Sequence, residues 1–300
     1  MFKKDAFLNP GGFSWQRALN CALASQVAYQ ETAGVRDQGK RWGFEESEAF
    51  SENRTQGFIA WDADFVLVSF RGTKELGDWL TNLNTIRTEN PPSYGKVHSG
   101  FFQAFNDARV RVSELLTRAK ASEKSVWVTG HSLGGALSTI MAGDVLNRLP
   151  VSGIYTYGQP RVVNRRAQGM FRNYYHDKFF RIVNDDDIVP KVPPLLKHVG
   201  TTLWFDEDGS MKEAPPGVRS DEFGPEEMTE DQFEEELNKL KSLQKQINET
   251  QEAVAALEVD EIVAETSAAE VETRGLLPSV SDHMMDKYIQ KIIAKVNAES

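Results

Sequence analysis

Gly130-His131-Ser132-Leu133-Gly134 constrains this chain more than any other stretch, because of what stands on either side of it. Val126 to Thr129, just before it, is a run of β-formers, and Leu133 to Leu149, just after it, carries helical periodicity. A G-x-S-x-G pattern between a strand and a helix is the mark of a sharp, strained turn that holds the serine hydroxyl out above a sheet. The glycines answer a steric need, since neighbouring backbone passes too close to the turn for a side chain. A fold that accepts such a turn must feed strands directly into helices.

The rest of the chain supplies those units. Trp15 to Tyr29 has apolar residues at helical spacing, and Phe65 to Phe70 is a short β-rich run ending at Arg71-Gly72-Thr73. Gly100 to Arg118 reads as helix, whereas Ile154 to Tyr157 and Phe179 to Val183 read as strands. This alternation predicts an α/β fold with a mostly parallel central sheet covered by helices, whose ligand sites lie beyond the carboxyl ends of the strands. Asp208-Gly209 marks a hairpin turn. The 300 residues are expected to form one catalytic domain, 1–300.

Several classes of protein are excluded by what is missing. No stretch approaches the roughly 20 apolar residues of a membrane span. Lys3 and Lys4 are followed by Asp5, Asn9, Pro10, Gly11 and Gly12, which interrupt any signal region. A cytoplasmic location is therefore expected, with leaderless secretion left open. Cys21 is the only cysteine, so no intramolecular disulfide forms, and it reads as a packed helix residue. There is no dinucleotide fingerprint, Walker loop, paired-cysteine motif or His-Glu-x-x-His, so neither a cofactor nor a metal is expected.

Charge singles out one segment. The net charge is −10, yet Asp221 to Glu272 alone carries 17 acidic and 3 basic residues, which leaves the remainder at +4. No basic stripe for nucleic acid exists. Thr229-Glu230-Asp231-Gln232 has the form of a capping box, and Phe233, Leu240, Ile247 and Val254 follow at heptad spacing. Leu237, Leu243 and Leu257 widen this stripe. The spacing predicts a long amphipathic helix within an acidic insertion, 221–275. It is a cap over a substrate site, an arm for homo-oligomerisation, or a packed decoration with no part in chemistry.

Four further stretches, in order, carry a resemblance: Ser69-Phe70-Arg71-Gly72-Thr73, Val97-His98-Ser99-Gly100-Phe101, Gly130 to Ala136, and Val183 to Pro190, which reads VNDDDIVP. Together with Asp282-His283 they resemble the class 3, or fungal-type, lipases over nearly the whole chain, the 221–275 segment excepted. The resemblance implies an α/β-hydrolase fold and carboxylic-ester hydrolysis through an acyl-enzyme, whereas the long helical insertion before the catalytic histidine is read from the spacing alone. Acylglycerols are the leading substrates, with phospholipid sn-1 esters and short soluble esters as relatives, and a lipid–water interface as the surface of action. A lipase-like scaffold without catalysis is the alternative from another class, and the intact set of candidate groups argues against it.

A serine hydroxyl needs a base, and five histidines compete for Ser132. His131 adjoins the nucleophile at the strand end and should point away from it, His176 sits near a helix end, and His98 and His198 flank other elements. In this kind of fold the order is Ser, then Asp or Glu, then His, which leaves His283, in a polar turn before a helix. The acid should follow a buried strand. Phe179 to Val183 supplies one, and from position alone Asp185, Asp186 and Asp187 all fit. The resemblance assigns the role to Asp187, the aspartate directly before Ile188-Val189-Pro190, with Asp186 next in line.

The oxyanion formed on attack needs donors. One is the backbone N–H of Leu133, directly after the nucleophile. The other is assigned by the resemblance to Thr73, whose hydroxyl can add to its N–H. Leu76, Trp79, Leu80 and Leu83 then have helical spacing, and the resemblance makes residues 74–84 a lid, against a helix packed permanently on the core.

Overall fold

The structure is a computed structural model that describes residues 1–73, 88–89, 95–239 and 278–299. The lid expected at 74–84 therefore lies outside the described residues, as does the insertion beyond residue 239.

Among the described residues one large sheet organises the molecule. Its eight strands run β1 (Glu46–Glu52), β2 (Thr55–Trp61), β3 (Phe65–Phe70), β6 (Ser125–His131), β7 (Val151–Tyr157), β8 (Phe179–Asn184), β9 (Thr201–Phe205) and β10 (Met211–Lys212), in that spatial order. β4 (Thr88–Glu89) and β5 (Val97–His98) form a separate antiparallel pair. Strands β3, β6, β7, β8 and β9 are parallel to one another, and antiparallel partners close both edges. β1 has mixed burial along ESEAFSE, which is why no clean period announces it in the sequence.

Helices cover both faces, and strand alternation decides which residue meets which layer. Phe65, Leu67, Trp127, Tyr155 and Tyr157 face one apolar layer with α1 (Trp15–Val27) and the C-terminal helix. Val66, Val68, Phe70, Val126, Val128 and Ile154 face the other, with α3 (Ser99–Arg118) and α4 (Leu133–Asp144). Burial on both sides explains why β3 is apolar at nearly every position rather than alternating. A further helix, α2 (Thr32–Arg41), packs beside β1.

Two elements end differently from the sequence reading. The helix after Ser132 stops at Asp144 rather than Leu149, because Asn147 takes a left-handed conformation ahead of Pro150. The hairpin at Asp208-Gly209 joins β9 to β10, and Gly209 supplies the positive φ of 83° that the turn requires.

The acidic segment follows β10 and begins beside α5 (Arg165–Tyr175) and the start of β9, where the Thr202 N–H donates to the Ser220 carbonyl at 3.2 Å. It is tied down from its first residue. Buried Asp221 pairs with Arg172 of α5 at 2.5 Å and with Arg219 at 3.3 Å. Glu227 accepts from the Leu195 N–H and pairs with Lys197 at 3.2 Å and Arg161 at 3.3 Å. The Met228 N–H donates to the Lys191 carbonyl. Thr229 and Gln232 then cap each other reciprocally at 3.0 and 3.2 Å, the capping box expected there, and residues 230–239 form α6. Its Phe233 and Leu237 are buried in the same apolar layer as α3 and α4. The chain is described again as α7 (Pro278–Ser281) and α8 (Met285–Ala298).

Candidate active site

Ser132 sits between β6 and α4 with φ 58° and ψ −126°, a conformation that strains any residue with a side chain. Its surroundings show why the turn is glycine on both sides. A Cβ on Gly130 would lie 2.3 Å from the Gly134 carbonyl, and one on Gly134 would lie 2.2 Å from the Phe70 carbonyl. The turn is held by the Ser132 N–H donating to the Tyr157 carbonyl at 2.9 Å and by Gly135 N–H donating to the Ser132 carbonyl at 2.9 Å.

The next residue along from Tyr157 brings in the other groups. Gly158 has φ 54°, and a Cβ there would lie 2.7 Å from both Asp187 Oδ2 and His283 Nδ1. Glycine at 158 thus leaves room for the Asp187–His283 hydrogen bond beside the carboxyl ends of β6, β7 and β8. Asp187 follows β8 in a tight turn, its N–H donating to the Asn184 carbonyl at 2.9 Å. His283 Nδ1 lies 3.0 and 2.9 Å from the two Asp187 oxygens, and both side chains are buried. Asn184 Nδ2 donates to the Asp282 carbonyl at 2.9 Å, which fastens the histidine loop to the end of β8.

Two more donors meet the carboxylate. Val189 N–H donates to Oδ1 at 2.9 Å, and the Tyr288 hydroxyl donates to Oδ2 at 2.5 Å while accepting from the Asn184 N–H at 3.1 Å. Burial first, and the neighbouring carboxylate second, push the Tyr288 phenol well above its ordinary range, so it stays a donor. Sequence reasoning missed Tyr288 and Gly158. The only signal for Tyr288 is its place on the buried face of α8 with Met285, Ile289 and Ile292, where a tyrosine brings a hydroxyl that must find a partner.

The other acids are used elsewhere. Asp185 has φ 36° and pairs with Lys212 at 3.5 Å, and Asp186 is exposed and pairs with Lys191 at 2.5 Å. His98 is buried and lies tilted against Phe101 with centroids 4.4 Å apart. His198 Nε2 donates to the Pro190 carbonyl at 2.7 Å, and His176 lies exposed at the end of α5. His131 turns from the nucleophile toward Tyr29 and the His283 backbone.

Ser132 Oγ and His283 Nε2 are both buried, and neither has a hydrogen-bond partner among the described residues. A serine oxygen and an imidazole nitrogen so placed can exchange a proton, and a contact of this kind often tightens only when substrate is bound. On the oxyanion side, Leu133 opens α4, so its N–H has no acceptor within the helix. The loop carrying Thr73 is pressed onto the nucleophile, as a Cβ on Gly72 would lie 3.1 Å from Ser132 Cβ. Among the described residues no three His, Cys, Asp or Glu side chains converge as a metal site would need.

A parallel sheet with a strained serine between a central strand and a buried helix, and a buried Asp–His pair beyond neighbouring strands, defines an α/β-hydrolase. Residues 67–197 match the class 3 lipases. The chain is 31% identical over 150 residues to a secreted mono- and diacylglycerol lipase of Fusarium solani, an alignment covering 47% of this chain and 44% of that protein. It is 34% identical over 157 residues to a lipase of Rhizomucor miehei, covering 48% of this chain and 42% of that protein. The crystal structure of the lipase from Rhizopus microsporus var. chinensis superposes with a TM-score of 0.54 at 28% identity, covering 66% of this chain and 77% of that one. This chain has the α/β-hydrolase fold and, over residues 67–197, is similar to the class 3 lipases. It spans about half the length of the curated relatives it matches.

Proposed function

We propose that this protein hydrolyses carboxylic esters, with acylglycerols as the leading substrates, through an acyl-enzyme on Ser132. The observation that carries the reading is the buried His283–Asp187 pair, set beside the strained Ser132 turn with His283 Nε2 left uncommitted. The names of the relatives, which include a mono- and diacylglycerol lipase and a phospholipase A(1), support lipid esters as the substrate class.

The chemistry follows from the atoms. His283 Nδ1–H is engaged by Asp187, so Nε2 carries the lone pair that takes the Ser132 proton as Oγ attacks the ester carbonyl carbon. The oxygen of that carbonyl becomes an anion in front of the Leu133 N–H, with Thr73 opposite, and a donor of this kind is worth two to three powers of ten in rate. Asp187 stabilises the imidazolium, which then protonates the departing alcohol. A water molecule, deprotonated by the same Nε2, attacks the acyl carbon and releases the acid and free Ser132.

The 221–275 segment is read as a cap beside the acyl site rather than as an oligomerisation arm. What supports this is its attachment: the Met228 N–H is bonded to Lys191, in the turn directly after the acid, and Glu227 clamps the Leu195–Lys197 stretch.

Activity on p-nitrophenyl esters of increasing acyl length, compared with emulsified triacylglycerol and phospholipid, tests the function. The wild type should hydrolyse the esters and Ser132→Ala should not, although it remains folded. A folded Ser132→Ala protein with most of the wild-type rate would refute the serine-hydrolase mechanism.

A further inference from the structure

Tyr29 and His131 take no part in the steps above, yet they connect two of the groups that do. His131 is buried at the end of β6, directly before the nucleophile. Its Nε2 lies 2.7 Å from the His283 backbone carbonyl, and its Nδ1 lies 3.0 Å from Tyr29 Oη. A carbonyl oxygen can only accept, so Nε2 bears the hydrogen. In a neutral imidazole Nδ1 is then an acceptor, which makes the Tyr29 hydroxyl the donor. Burial first, and the adjacent His283 second, hold His131 in this neutral form.

The thread does not stop at Tyr29. Gly72 packs directly on the same phenol oxygen. Packing holds the contact: a Cβ on Gly72 would lie 2.2 Å from Tyr29 Oη and 2.7 Å from the His131 carbonyl. The Arg71 guanidinium covers the Tyr29 ring at 5.6 Å, and the His131 ring stacks on that of His283 with centroids 4.5 Å apart. The hydrogen bonds therefore have one direction, from Tyr29 to His131 and from His131 to the His283 carbonyl, with Gly72 seated on the Tyr29 hydroxyl. Four segments far apart in sequence contribute: the turn after α1, the loop after β3, the end of β6 and the loop before α8.

One end of this thread is the loop that presents Thr73 to the oxyanion, and the other is the backbone of the base. We propose that Tyr29 and His131 are positioning residues that set the oxyanion loop and the His283 imidazole in register on either side of Ser132. The inference rests on the assignment of Ser132, His283 and Thr73 given above. A displacement of the base by a fraction of an ångström is enough to matter, since misplacements of about 1 Å cost on the order of a hundredfold in rate. Neither side chain contacts the reacting atoms in this scheme, so the effect falls on turnover and not on substrate affinity.

The test uses the full chain carrying Tyr29→Phe, His131→Phe and both together, with Ser25→Ala as a control. Ser25 Oγ makes a buried hydrogen bond to Thr129 Oγ1 at 2.9 Å in the same layer but off the thread. On a soluble p-nitrophenyl ester, Tyr29→Phe should lower kcat on the order of tenfold and His131→Phe more, with KM within about twofold. The double variant should be no slower than His131→Phe alone, because both cut one thread. In both variants the low-field proton resonance of His283 Nδ1–H should shift or broaden, whereas Ser25→Ala should lower Tm and leave kcat and that resonance in place. If His131→Phe does not fold, Tyr29→Phe alone decides, since it removes one oxygen and keeps the ring. Folded variants with kcat within twofold of wild type and an unmoved resonance, alongside an inert Ser132→Ala, would overturn the positioning role and leave the triad standing. An active Ser132→Ala would instead remove the assignment on which the role depends.

Discussion

The Tyr288 hydroxyl donates to Asp187 at 2.5 Å on the same oxygen, Oδ2, that faces His283 Nδ1 at 2.9 Å. The acid is thus oriented from α8 as well as from its own turn, where Val189 N–H holds the other oxygen. Tyr288→Phe removes a hydrogen bond to a buried charged group and leaves the Asn184 N–H without its acceptor, a loss of about 1.5–3 kcal/mol of stability. Thermal unfolding should report that loss. Because the carboxylate gains freedom to turn from the imidazole, kcat should fall roughly tenfold with KM little changed. An unchanged kcat in a folded protein would mean that Val189 and His283 suffice to fix the acid.

Asp187→Asn should cripple turnover by about 10⁴-fold, because an amide cannot stabilise the imidazolium and favours the wrong tautomer. Asp185→Asn and Asp186→Asn should stay close to wild type, since those side chains face Lys212 and Lys191. Steady-state kinetics on the three folded variants decides the matter. An inactive Asp186→Asn beside a near-normal Asp187→Asn would move the acid by one residue.

Stability should fall as the solution is acidified through the histidine range. Burial depresses His98 to about 4 and holds His131 and His198 well below their ordinary value. Above about pH 6.5 all three are neutral whether folded or not, and stability is at its full value. Below it the unfolded chain binds protons that the folded one refuses, so stability drops by at most about 1.4 kcal/mol per pH unit for each imidazole. For His98 the loss ends near its folded value of about 4. Tm measured from pH 7.5 to 5 should decline, and His98→Phe should flatten the slope by one proton. A level Tm across this range would contradict buried neutral imidazoles.

The part of the acidic segment packed on the core should be separable from the rest. Deleting 240–277 and bridging with a short flexible linker removes no triad or oxyanion group, so hydrolysis of a short soluble ester should persist while acyl-length preference changes. Starting the deletion at 221 instead strips Asp221, Glu227, Phe233 and Leu237, and the two apolar side chains alone bury about 1.5–3 kcal/mol each. That larger deletion should not yield stable protein. Light scattering on the shorter deletion tests the arm: a change in mass with an unchanged acyl profile would favour oligomerisation over the cap.

Much of this molecule is legible in the chain because the signals are local. Gly130 and Gly134 announce a turn that no side chain can enter, the apolar run from Phe65 to Phe70 announces a strand buried on both faces, and Thr229 with Gln232 announces a helix start. Steric exclusion, strand periodicity and capping all act within a few residues, so the sequence by itself determined the strand–serine–helix unit and the layered architecture around it. It could not rank Asp185, Asp186 and Asp187 by position, since three adjacent carboxylates look alike until one of them meets a partner 96 residues away. Nor could it reveal Tyr288 on Asp187, Gly158 making room for the Asp187–His283 hydrogen bond, or the contacts of Tyr29 with His131 and of His131 with the His283 backbone. These relationships exist only once the carboxyl ends of β6, β7 and β8 and the loop before α8 converge. There burial removes water as a competing partner, and each polar group must be met by another from a distant part of the chain.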